Sequence, residues 1–151
     1  MLKMKTPNNP IATSTSQSRQ LIEHGIPASS ADMYKVRLWN NKWELRIPHY
    51  HYNMEMFTNS EEHISSWSLS RLIDLLPPEL NYGEDEDSMQ YDLVIESDSI
   101  SYKTYSGETF IETYGLTILS AVVEMIISLC REGWLDIIKE SYQERFGIAE
   151  E

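Results

Sequence analysis

His49 and His51 flank Tyr50 in the stretch PHYHYNMEMF; Glu55 follows four positions after the second histidine, and His63 lies further along. Imidazole and carboxylate are ligands that transition metals accept, and two imidazoles one residue apart on a strand share a face and can chelate one ion. If the strand through Trp43, Leu45 and Ile47 ran on past Pro48, both histidines would lie on the same face as those three. A metal-dependent hydrolase built on His49 and His51 would then need a third ligand, for which Glu55 and His63 are the candidates, and a general base. That third ligand requires an irregular segment to fold back, and Pro48 interrupts a strand ladder just before the pair. Tyr50, Tyr52, Met54 and Met56 read instead as a segment laid over apolar surface. Packing is therefore preferred to a metal centre, and neither a metal nor a cofactor is assigned.

Other chemistry is poorly supplied. Glu84-Asp85-Glu86-Asp87 are consecutive carboxylates that cannot all turn to one cation, without the alternating spacing, central Gly and terminal Glu of a calcium loop. They read as a solvated acidic loop. Cys130, the single cysteine, falls in an apolar helical stretch and reads as a small hydrophobe. It forbids an internal disulfide, which suits a reducing compartment. No G-x-x-x-x-G-K-[ST] or G-x-G-x-x-G is present, and no nucleophile elbow marks out a Ser-His-Asp set. No catalytic residue is assigned.

Binding is better supplied than catalysis. Lys35, Arg37, Lys42 and Arg46, with Trp39 among them, form a basic and aromatic set on what reads as one hairpin. Such a set suits a solvated strand face, a protein partner anchored by the indole, or the acidic part of a second copy. Residues 1–48 carry seven basic against three acidic side chains, whereas residues 49–151 carry five against twenty-one. A chain of net charge −12 repels nucleic-acid phosphates, so direct polynucleotide binding is not expected.

The elements that must position these residues follow from periodicity and punctuation. Ser14 with Gln17 is a capping box, and Gly25 and Pro27 close a first helix over about 14–24. MYKVRLWNNKWELRI reads as a hairpin turning at Asn40-Asn41, with Val36 opposite Leu45 and Arg37 opposite Glu44. A short helix over about 67–76 ends at Pro77-Pro78. QYDLVIESDSISYKTY reads as a second hairpin turning at Ser97-Asp98, with Leu93 opposite Tyr102 and Asp92 opposite Lys103. In LTILSAVVEMIISLCREG, Ser120, Glu124, Ser128 and Arg131 draw one narrow polar stripe along an apolar cylinder, which predicts a buried helix over 117–132. Gly133 ends it, and a last helix presents Leu135, Ile138, Tyr142 and Phe146 on one face.

These elements predict an α+β fold in which the two hairpins form an antiparallel sheet packed against the buried C-terminal helix, with further short helices. A chain of 151 residues has room for one core, so residues 13–151 are expected to form a single domain behind a flexible lead-in, 1–12. The lead-in has two lysines and no apolar run after them, so it does not read as a signal peptide. No segment reaches the roughly 18 apolar residues that a membrane helix needs. A cytoplasmic location is expected.

The pieces QSRQLIEHGIP, ADMY, WSLSRLIDLLP and VVEMIISL, in that order, resemble an uncharacterised group of short proteins from gut Bacteroidales genomes, prophages and mobile elements. The most distinctive is the WSL-x-x-L-x-x-LLP block, Trp67 to Pro77. The group has no established activity, so the resemblance brings no site residue. It implies a bacterial, cytoplasmic, phage-associated accessory protein. The expected function is thus non-enzymatic, exerted through protein–protein interaction. Two alternatives are an acidic nucleic-acid mimic that inhibits a DNA-handling protein and the hydrolase on His49 and His51.

Overall fold

The computed structural model describes residues 10–48, 60–83 and 89–146. Helix α1 (Thr15–Glu23) opens on the expected capping box. The Gln17 N–H donates to the Ser14 hydroxyl at 3.1 Å, and the Ser14 N–H donates to the Gln17 side chain at 2.9 Å. It ends just before Gly25, whose φ of 98° is one that L side chains adopt only with strain; a Cβ there would also lie 2.7 Å from a Leu135 methyl, which would have to move.

A 3-10 turn (Ala28–Ser30) leads into a three-stranded antiparallel sheet of β1 (Met33–Arg37), β2 (Trp43–Arg46) and β3 (His63–Ser66), ordered β2-β1-β3. After α2 (Leu69–Leu75) comes a four-stranded antiparallel sheet of β4 (Glu79–Tyr82), β5 (Met89–Ile95), β6 (Ser99–Lys103) and β7 (Thr109–Tyr114), in sequence order. Helices α3 (Ile118–Arg131) and α4 (Leu135–Phe146) complete the described chain. The class is α+β, and α3 packs against β6 and β7 as expected of the C-terminal helix. The two hairpins lie in separate sheets: β3 adds to the β1 side of the first, leaving β2 at an edge, and β4 and β7 flank the second.

The second hairpin has the expected register, with Asp92 opposite Lys103, Leu93 opposite Tyr102 and Ile95 opposite Ile100. The first is displaced by one residue. Its loop holds three residues, closed by Leu38 N–H donating to the Lys42 carbonyl at 2.7 Å and Asn41 N–H donating to the Leu38 carbonyl at 2.9 Å. Asn41 takes the left-handed φ of 63° that such a loop requires. An odd loop reverses the parity of the pairing, so Val36 lies opposite Glu44 and Lys35 opposite Leu45.

Helix α3 runs from an N-cap at Thr117 to Glu132 and buries Leu119, Val122, Met125, Ile126 and Leu129, while Glu124 and Arg131 stay exposed on the expected stripe. Around it one cluster of buried side chains draws on α1, α2, β4, β6 and α4, including Leu21, Leu72, Leu80, Ile100, Tyr102 and Ile138. A second kind of glue is polar. Thr13 exchanges bonds with Trp67, its N–H donating to the Trp67 carbonyl at 2.9 Å and its hydroxyl accepting from the Trp67 N–H at 3.1 Å. Ser66 donates to the Thr13 carbonyl at 3.0 Å, and the Asp32 carboxylate accepts from both the N–H and the hydroxyl of Ser68, the N-cap of α2. Packed structure therefore begins before the capping box, since Ala12 is already buried and bridges Ser68. Among the described residues no buried side-chain polar atom lacks a partner.

Candidate interaction surface

The tip of the β1–β2 hairpin carries the most exposed tryptophan of the described chain. Trp39 is 95% exposed, on a loop whose backbone is fixed by the two bonds above and by Lys42 N–H donating to the Asn40 side chain at 3.1 Å. Arg37 is held in place by donating from Nη2 to Asn41 Oδ1 at 2.8 Å, and Lys42 is exposed. A shallow hollow beside the indole is lined by Arg37, Leu38, Asn41, Glu61 and Glu62. The tip is thus an aromatic ring on a hydrogen-bonded loop, with a guanidinium and two carboxylates lining one hollow beside it. The two glutamates belong to the turn before β3, a strand that periodicity alone did not reveal.

The five residues of the basic set do not share one face. Lys35 and Arg37 lie opposite Leu45 and Trp43, whereas Arg46 lies on the other face with Glu44, to which it is paired at 3.3 Å. Lys35 has Leu45 on one neighbouring strand and Ile64 on the other, and loss of water around its ammonium pushes its pKa down. Arg37, Trp39 and Lys42 are what the hairpin presents at its tip.

Of the metal candidates, His49, His51 and Glu55 lie outside the described residues, as does the acidic run Glu84–Asp87. His63 is exposed at the start of β3, in a turn where its N–H donates to the Ser60 hydroxyl at 3.2 Å. Among the described residues no three His, Cys, Asp or Glu side chains converge as a metal site would require. Cys130 is half-buried on α3, and burial pushes its thiol up, with Lys139 pulling weakly the other way. That is the opposite of activation.

A second aromatic group was not legible in the sequence. Tyr82, Tyr91, Phe110 and Trp134 pack together on the four-stranded sheet in tilted and edge-on contacts, with centroids 5.4 Å apart for Tyr82 and Phe110, 5.0 Å for Tyr91 and Phe110 and 6.1 Å for Phe110 and Trp134. A register irregularity between β6 and β7 sits where Phe110 joins the group. On the opposite face of that sheet Lys103 lies across from Asp92 and 3.6 Å from Glu112, so acid there is interleaved with a cation. No helix among the described residues is long and apolar enough to cross a membrane. No protein-family model, no curated protein and no solved structure matches this chain.

Proposed function

We propose that the protein is a non-enzymatic accessory protein that works by binding another protein through the tip of the β1–β2 hairpin. The observation that carries this reading is Trp39, 95% exposed on a hydrogen-bonded loop between Arg37 and Lys42. A large side chain left in water contributes nothing to folding. Buried against a partner, a tryptophan removes about 200 Å² from water, on the order of 5 kcal/mol before ordering costs. The stiff loop keeps those ordering costs low. Tryptophan and arginine are also the side chains that most often dominate binding interfaces. The matching partner offers an apolar pocket for the indole, with acceptors for Arg37 and Lys42 and donors for Glu61 and Glu62 around it. The resemblance of the four segments to short proteins of Bacteroidales prophages and mobile elements supports a bacterial, phage-associated setting for it.

Affinity capture from the native host tests the proposal. Wild-type bait should retain a specific protein, and Trp39→Ala bait should lose it while melting at the wild-type temperature, because the indole packs against so little of its own chain. Equal capture by both baits would overturn the assignment of the site.

A further inference from the structure

The three-stranded sheet ends at β2, and among the described residues no strand pairs with the outer edge of β2. The direction of its backbone groups follows from its neighbours. Arg37 N–H donates to the Glu62 carbonyl and Leu38 N–H to the Lys42 carbonyl, so alternate residues of β1 point to β3 and to β2. With Val36 opposite Glu44, the backbone groups of Glu44 and Arg46 are taken up by β1, and those of Trp43, Leu45 and Ile47 point outward. Pro48, which has no N–H to offer, falls on the inward set and leaves the outer edge intact.

From this edge we infer that β2 is the contact between two copies of the chain, paired antiparallel about a two-fold axis at Leu45. In that register the outward groups of Leu45 bond those of the second Leu45, and Trp43 pairs with the second Ile47. Between these pairs, Glu44 lies opposite the second copy's Arg46 and Arg46 opposite its Glu44. Charge selects the register. Shifting the axis by one residue either way places Glu44 against Glu44 or Arg46 against Arg46, which is unfavourable for side chains directly opposed. The strand is therefore self-complementary in the one arrangement that also uses all of its outward hydrogen-bonding groups. Apolar contact is gained as well: Ile47 is 72% exposed in the single chain and would lie beside the half-buried indole of the second Trp43. The result is a continuous sheet of six strands, which removes an exposed edge of the kind that invites non-specific pairing. This contact is separate from the Trp39 reading, since it needs only the purified chain.

Sedimentation equilibrium over a concentration series tests it. The wild type should show a monomer–dimer equilibrium. Leu45→Pro removes the outward N–H at the axis without removing a bond to β1, and should be monomeric with an unchanged circular dichroism spectrum. Glu44→Arg and Arg46→Glu should each raise the dissociation constant about tenfold or more, because like charges then face each other. Mixing Glu44→Arg chains with Arg46→Glu chains should restore a dimer that contains one of each, which no folding defect can imitate. A wild type that stays monomeric throughout, a dimer indifferent to these variants, or a mixture that associates no better than its components would overturn the proposal.

Discussion

The indole N–H of Trp67 donates to the Ser30 hydroxyl at 3.0 Å, and that hydroxyl donates in turn to the Pro27 carbonyl at 2.6 Å. Trp67 is fully buried and Ser30 nearly so, which makes the short chain of bonds a joint between the 3-10 turn and the β3–α2 connection. Replacing Ser30 by Ala keeps the backbone and deprives a buried donor of its acceptor. Such a change costs about 1–3 kcal/mol. Chemical denaturation should show that loss, and a Trp67→Phe background should shrink it, because the donor is then absent. An equal loss in both backgrounds would mean that Ser30 acts through Pro27 alone.

How much of this was written in the sequence depends on whether the signal is local. The capping box at Ser14 and Gln17, the polar stripe of α3 and the pairing of Leu93 with Tyr102 all rest on residues a few positions apart. Each is found as expected. The first hairpin needed a count of loop residues, and Asn40-Asn41 suits either a two- or a three-residue loop. Parity then decides whether Val36 meets Leu45 or Glu44. Strand β3 offers only His63, Ile64, Ser65 and Ser66, in which a single apolar residue gives no period to read, yet Ser65 and Ser66 are fully buried by hydrogen bonds to Ala28 and Thr13. Burial of that kind is decided by residues 37 and 53 positions away. The candidate surface shows the same division: the exposure of Trp39 follows from its place in the loop, whereas the separation of Arg46 from Lys35 and Arg37 follows from a register that local sequence leaves open.

Met125 and Leu129 lie fully buried on the face of α3 turned into the core. Truncating either to Ala removes buried methylenes and leaves a cavity that surrounding helices and sheet only partly fill. The expected loss is about 2–5 kcal/mol for each, by urea denaturation with an unchanged m-value. A loss under about 1 kcal/mol would show that the site collapses around the smaller side chain.

The histidine pair makes a separate prediction, directed at the hydrolase alternative. If packing is the role of His49 and His51, elemental analysis of protein purified without chelators should find negligible zinc, both in the wild type and in the His49→Gln, His51→Gln double variant. A near-stoichiometric metal in the wild type, lost from the double variant, would reverse that reading and move the function toward metal-assisted hydrolysis.

Tyr102 supplies the pH dependence. Its hydroxyl donates to the Pro77 carbonyl at 2.7 Å from a fully buried ring, and burial pushes its phenol above the ordinary tyrosine value of 10.0, with Arg145 pulling weakly downward. The folded chain keeps this proton at pH values where the unfolded chain releases it. Above pH 10.0 the unfolded state therefore binds fewer protons, and stability falls as pH rises toward the folded value. Below pH 10.0 the contribution is complete. Lys35 works in the opposite sense, because its folded ammonium is pushed below 10.5 and gives up its proton before the unfolded chain does. The comparison that isolates the tyrosine is wild type against Tyr102→Phe, in which Lys35 cancels. Near neutral pH the variant should be less stable by about 0.5–1.5 kcal/mol, the worth of the lost bond. That gap should close as the pH passes 10.0, since only the wild type has a buried phenol to ionise. Parallel stability curves for the two proteins through that range would show that Tyr102 ionises as readily folded as unfolded.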